Sequence, residues 1–146
     1  MPFTHLHVHT EFSLLDGASR IKELIETTTA LGMDSIAITD HGAMYGVIDF
    51  YKEAKKQGVK PIIGCEVYVA PGARQEHREV NGVRYYHLIL LAENQTGYRN
   101  LVKLVSLANI EGMYYKPRVD KDLLRQYHEG IICLSACIAG EIPRAI

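Results

Sequence analysis

Short apolar runs alternate with helix-period segments along the whole chain. That alternation is the pattern of a parallel α/β protein, with strands packed against helices. Phe3 to Val8 reads as a strand. Ser19 stands where it can cap a helix whose Ile21, Leu24, Ile25, Thr28 and Leu31 share one face. Gly32 follows where left-handed backbone ends a helix. Ser35 to Thr39 reads as a second strand. Met44 to Gln57 reads as a second helix, with Val47, Ile48, Tyr51 and Ala54 on one face and Gly58 closing it. Pro61 to Val69 is a third strand, of the near-continuously apolar kind found where both faces are covered. Pro71 to Val83 turns polar and reads as a surface excursion or hairpin. A strand from Arg84 to Ala92 follows, then a helix from Thr96 to Asn109 with Leu101, Leu104, Val105 and Ala108 in register. Asp120 caps a short helix to Glu129, Gly130 ends it, Ile131 to Ser135 makes a fifth strand, and Gly140 opens another helix. Five such βα-like units predict a barrel or an open doubly wound sheet. A complete (β/α) barrel takes ~250 residues, and this chain has 146, so a partial barrel excised from a longer protein is expected.

Sixteen basic and 17 acidic side chains leave a net charge of −1. A domain that grips nucleic acid over a broad face carries a basic surplus, because neutralised phosphates supply the affinity. Any DNA contact here must be local to a site or supplied by another part of a larger protein. Three cysteines, an odd number, without a signal peptide point to a reducing compartment, and the chain reads as cytoplasmic. The longest apolar stretches are far too short to span a membrane.

The strongest chemical signal is His5-Leu6-His7-Val8-His9. Residues two apart on a strand share a face, so His7 and His9 converge, and paired neutral imidazoles suit zinc or manganese. The alternative is a histidine-rich strand of core and surface residues. His5, at the strand's beginning, is left out. Directly after the second strand comes Thr39-Asp40-His41-Gly42, at the carboxyl strand end where α/β proteins build their sites. His41 is placed there for chemistry. Asp40 is a ligand, a group that orients an imidazole, or a helix cap. Glu66 sits among apolar strand residues, where a carboxylate needs a partner that a metal would supply; a surface carboxylate at an exposed strand end is the other possibility. Cys65 points the other way, into the core.

Three further positions stay open on the residues alone. Asp16 in Leu14-Leu15-Asp16-Gly17 is an ordinary turn signal as much as a donor. His87 is a ligand or a satisfied strand histidine. Cys137, beyond the fifth strand, is a thiolate donor or a core residue. His77 and His128 read as solvent-facing.

HLHVHTEFSLLDG, ITDHG and KPIIGCE together resemble the PHP (polymerase and histidinol phosphatase) family. HLILLAENQTGYRNLVKLVS and GIICLSACIAGEIP extend the likeness over the whole chain. Those segments are similar to the PHP domains at the N-terminus of bacterial DNA polymerase III alpha subunits. The resemblance implies a distorted seven-stranded (β/α) barrel, of which residues 1–146 are the N-terminal part. It implies a trinuclear metal site with ligands at His7, His9, Asp16, His41, Glu66, His87 and Cys137. A closing Asp-x-His pair is expected beyond Ile146, which makes seven of nine ligands. The donor set favours zinc, with manganese, iron or magnesium as alternatives.

The resemblance further implies a metal-dependent phosphoesterase, a 3′–5′ exonuclease that aids proofreading. DNA would be reached through the parent polymerase, and other holoenzyme subunits, such as a proofreading exonuclease subunit, are the expected partners. The nucleotidyl-transfer chemistry itself is expected after Ile146, because no paired palm aspartates are visible. Three other readings stand beside this one. They are a non-catalytic brace and docking module of the polymerase, a stand-alone phosphatase for a small phosphate ester, and an amidohydrolase barrel, for which a bridging lysine and late histidines cannot be placed.

Overall fold

A computed structural model describes residues 3–146. Its elements in chain order are α1 (Ile21–Ala30), β1 (Ser35–Ile38), α2 (Val47–Lys56), β2 (Lys60–Val69), β3 (Tyr86–Ala92) and α3 (Gln95–Glu111). There follow β4 (Met113–Tyr114), β5 (Lys116–Val119), α4 (Lys121–Gln126), β6 (Ile131–Leu134) and α5 (Glu141–Ala145). The class is α/β, with a six-stranded sheet in the order β4-β5-β2-β3-β6 and β1 paired with β2. No helix among the described residues is long and apolar enough to cross a membrane.

β2 is the organising strand. One of its edges is shared: Lys60 to Ile63 pair in parallel with β1, and Tyr68 and Val69 pair in parallel with β5. Its other edge pairs with β3, which is antiparallel, and β6 is antiparallel to β3 in turn. The predicted βα alternation therefore gives a mixed sheet and not an all-parallel one. A parallel return needs a crossover, usually helical. Residues 70–85 instead form a polar excursion that contains the tight turn Asn81-Gly82, with both residues at positive φ and Val80 bridged to Val83. The chain doubles back, and β3 runs opposite to β2.

Two apolar layers cover the sheet. Leu101, Leu104 and Ala108 of α3 pack on Cys65, Val67, Val69 and Leu90. Ile21 and Ile25 of α1 and Val47, Phe50 and Ala54 of α2 pack around Ile36 and Ile38. The inward face of α2 differs from the predicted one, since Ile48 and Tyr51 are exposed and Phe50 takes the core position. Leu31 is exposed as well, because α1 ends one residue before it.

Several boundaries differ for identifiable reasons. Ser19 does not cap α1; the Glu11 carboxylate accepts the Ile21 N–H instead. The predicted first strand is not regular. His5 O accepts from Ala37 N–H and Val8 O from Thr39 N–H, so the 5–8 segment lies beside β1 with an extra residue bulged out at Leu6-His7. Thr39 Oγ1 accepts the Val8 N–H. Such bulges re-aim side chains near sites. No periodicity in the sequence announces the β4–β5 hairpin. Its tip residue, Tyr115, holds a positive φ of 60°. The helix after Asp120 ends at Gln126, not at Glu129.

A buried polar seam fastens the excursion. Arg118, 1 % exposed, donates to the carbonyls of Gly112, Arg84, Arg74 and Glu76. Asp120 caps α4 through the Leu123 N–H and accepts both the backbone N–H and the guanidinium of Arg74. Burial would raise the Asp120 pKa, but the Arg74 and Leu123 donors outweigh it and hold the carboxyl below its ordinary 3.8. A depressed carboxylate contributes stability above its unfolded pKa and loses it as pH falls through the folded one. Replacing Asp120 with Ala should thus cost about 2–4 kcal/mol at pH 7. The gap between Asp120→Ala and the parent should narrow below pH 3.8. Urea unfolding of both proteins across pH checks this, and equal stability at neutral pH would refute it.

Candidate metal centre

Glu66 is the fixed point of the site. It lies in the middle of β2, three residues short of the strand's end at Val69 and not at the end itself. The opposite edge continues through the segment after β1: Glu66 N–H donates to Asp40 O, and Gly42 N–H donates to Glu66 O. With Cys65 turned to the core, the pleat sends Glu66 to the other face, where its side chain is 1 % exposed.

A buried carboxylate is costly without partners, and three histidines from two segments supply them. His7 Nε2 is 2.6 Å and His9 Nε2 2.9 Å from Glu66 Oε2, and the two nitrogens are 3.0 Å apart. His87 Nδ1 is 2.6 Å from Glu66 Oε1. Burial alone would raise the Glu66 pKa, but hydrogen bonds from His87, His9 and His7 overcome it and hold the carboxyl far below the usual range.

His41 comes next. Its Nε2 is 3.0 Å from Asp16 Oδ2, and its ring stacks on Tyr68 at 5.8 Å. Its Nδ1 is buried without a hydrogen-bond partner, 3.8 Å from Glu66 Oε2. A buried imidazole nitrogen aimed at a carboxylate and lacking a proton partner suits a cation between them. Gly42 makes this placement possible. Its φ is +60°, and a Cβ there would come within 2.9 Å of the Tyr68 ring and 3.0 Å of Pro117.

Asp16 belongs to a genuine turn, with its own N–H and that of Gly17 both donating to Ser13 O. The same turn brings its carboxylate to His41. A Cβ at position 17 would overlap the Thr10 carbonyl oxygen, so glycine lets the loop close this tightly.

His87 enters from an unexpected side. It is the second residue of an antiparallel strand, so the site receives the carboxyl-terminal half of β2 and the amino-terminal end of β3. Beyond the carboxyl end of β6, Ala136 adopts φ 60°, and Cys137 Sγ comes to 3.7 Å from His87 Nδ1. The seven residues His7, His9, Asp16, His41, Glu66, His87 and Cys137 line one pocket of about 330 Å³. Three overlapping donor sets within it could each hold an ion: His7–His9–Glu66, His9–Asp16–His41 and His41–Glu66–His87.

Asp40 does not cap α2, whose cap residue is Gly46. Its buried carboxylate accepts from Thr10 N–H, Thr10 Oγ1 and Ser13 Oγ. Ser13, which no motif in the sequence marks, is the link to the imidazoles. Its hydroxyl proton goes to Asp40, and its oxygen accepts from the His41 N–H. The 2.8 Å contact with His9 Nδ1 then requires a proton on that nitrogen. His9 is thereby held with Nδ1–H engaged and Nε2 facing the pocket, the arrangement a metal-binding imidazole needs. The only sequence hint was a hydroxyl four residues after His9.

His9 and His41 titrate in opposite directions. Burial disfavours the charge on His9, but the hydrogen bond and charge of Glu66 outweigh it and raise its pKa above 6.5. Burial dominates at His41 and lowers its pKa despite the pull of Glu66. In metal-free protein, the His9–Glu66 pair therefore stabilises fully below pH 6.5 and weakens as pH rises through the His9 midpoint. His41 acts the other way, costing stability as pH falls below 6.5. NMR titration of the two rings should place the His9 midpoint above that of His41; the reverse order would contradict this electrostatic picture.

Comparison with known proteins bears on this geometry. The model of the PHP domain family matches residues 5–146. DNA polymerase III subunit alpha of Treponema pallidum is 58% identical over 144 residues, covering 98% of this chain and 12% of that protein. The subunit of the same name from Borreliella burgdorferi is 54% identical over 145 residues, covering 99% and 13%. That of Thermus aquaticus is 47% identical over 150 residues, covering 100% and 12%. The chain spans roughly an eighth of the length of these curated relatives. Among solved structures, an amidohydrolase from Chromobacterium violaceum superposes with a TM-score of 0.48 at 23% identity, over 69% of this chain and 32% of that one. A protein described as a metal-dependent phosphoesterase from Bifidobacterium adolescentis gives 0.48 at 19%, over 73% and 35%. Likenesses of that size carry nothing about chemistry.

Proposed function

This chain belongs to the PHP domain family, and on that basis we propose that it is the N-terminal part of the PHP domain of a bacterial DNA polymerase III alpha subunit, with a metal-dependent phosphoesterase site. The observation that carries the reading is the single pocket in which all seven donor residues meet. His7, His9, Asp16, His41, Glu66, His87 and Cys137 would hold divalent ions. Imidazoles with carboxylates and a thiol favour zinc, with manganese, iron or magnesium as alternatives. The chemistry such ions would supply there is polarisation of a phosphoryl group and a lowered pKa for a water molecule.

The chain's own residues prepare for this. Glu66 keeps its negative charge at any working pH because three imidazoles surround it. Ser13 presents the Nε2 of His9 to the pocket, and Asp16 steadies His41 from the rim. The substrate class we assign is a phosphodiester at the 3′ end of DNA, in a 3′–5′ exonuclease that serves proofreading. Polymerisation, a nucleotidyl transfer, belongs to the remainder of such a subunit. Partners are DNA and other holoenzyme subunits, including a proofreading exonuclease subunit, in the cytoplasm.

A second reading, a metal-braced structural and docking module, draws support from one observation. The donor sets join segments as far apart in sequence as His7 and Glu66, or His41 and His87, so a bound ion would also clamp the fold.

Elemental analysis of the purified protein should find bound zinc or another divalent metal, and chelation should lower its melting temperature. No bound metal at neutral pH overturns the proposal. Ser13→Ala should weaken metal affinity about 10–100-fold, read by calorimetry; an unchanged affinity would remove Ser13 from the site. His41→Ala in the full-length polymerase separates the two readings. Loss of exonuclease activity with polymerisation intact supports catalysis, and loss of both supports the brace.

A further inference from the structure

Beside the seven-donor pocket lies a larger cleft of about 570 Å³ that shares Asp16, His41 and His87 with it. Its remaining lining differs in chemistry. Tyr68 and Tyr85 form one wall, their rings edge to face at 4.9 Å. Tyr115 stands at the hairpin tip, 67% exposed, with the Arg84 guanidinium 4.4 Å from its ring centroid. Leu14 and Leu15 of the Asp16 loop line the same cleft and are 81% and 86% exposed. Lys116 supplies an ammonium 5.6 Å from the Tyr68 ring.

Exposed apolar side chains gathered at the mouth of a polar site need an explanation, because a soluble chain ordinarily turns such groups inward. Tyr115 is more telling still. A bulky residue at φ 60° is strained, and here the strain holds an aromatic ring out at the cleft. Flat rings, an aliphatic pair and the Lys116 ammonium, next to a site for phosphate chemistry, match a base, its sugar and its phosphate in turn. The net charge of −1 adds to the case. With 16 basic and 17 acidic side chains the chain carries no basic surplus to hold a strand, so affinity falls to local stacking, which is sequence-tolerant and needs an unpaired base.

We infer that this cleft is a nucleotide subsite, in which Tyr115 and the Leu14-Leu15 loop hold the terminal base of a single strand and Lys116 contacts its phosphate. This rests on the phosphoesterase reading and deepens it, since it assigns the residues that recognise the unpaired strand end.

The test is binding without turnover. Fluorescence anisotropy compares a labelled oligodeoxythymidine with the same strand ending 3′ in an abasic residue, using the purified protein. The intact strand should bind roughly tenfold more tightly. Tyr115→Asn, which accepts positive φ more easily and so preserves the hairpin, should erase that preference. Lys116→Met should weaken both strands alike. Equal binding of the two strands by the parent, no binding of either, or a preference retained in Tyr115→Asn each overturns the inference. Metal content of the same preparations keeps the two proposals apart. Bound metal without base discrimination sinks only the subsite, and discrimination without bound metal sinks only the phosphoesterase.

Discussion

A carboxylate buried in the middle of a strand governs much of this molecule. Glu66 costs several kcal/mol to desolvate if left alone, and the surrounding structure is arranged to meet that cost. The irregular 5–9 segment brings His7 and His9 to one of its oxygens, and the reversed β3 brings His87 to the other. Asp40, Thr10 and Ser13 brace the loop that makes the first of these approaches. Without Glu66 the three imidazoles would crowd one another with nothing to attract them. Without the imidazoles Glu66 would not stay ionised in the wall of the sheet.

The division between what the residues revealed and what they hid follows from range. Local patterns were legible: Asp120 caps its helix, Gly32, Gly58 and Gly130 sit at positive φ, and Leu101, Leu104 and Ala108 of α3 are buried as their spacing demands. Strand direction was not legible, since it depends on how the 70–85 excursion folds back. That is why His87 could be read only as an ambiguous strand histidine. Phe50 was missed because Ile48 and Tyr51 look equally apolar in one dimension, and only packing decides which face turns inward.

At the candidate site, the histidines and Glu66 carried their own signal, and family resemblance drew attention to Asp16, His87 and Cys137. All seven meet in one pocket. Ser13 and Tyr115 stayed hidden for different reasons. A serine is common in any loop, and its importance lies in where one proton goes. Tyr115 acquires its interest from a hairpin and a strained φ that no periodicity announces.

Cys65 and Glu66 are neighbours facing opposite sides of one strand, and this makes the site unusually sensitive to sequence length. Side chains alternate along β2, so one residue inserted or deleted between Ile62 and Glu66 exchanges the two faces. The carboxylate would enter the packed layer beneath α3, and the thiol, whose pKa burial now pushes up to about 12, would face the imidazoles. Many substitutions along β2 can be absorbed by local repacking. A frame shift of a single position cannot, and homologous chains should tolerate sequence drift here far better than any change in spacing.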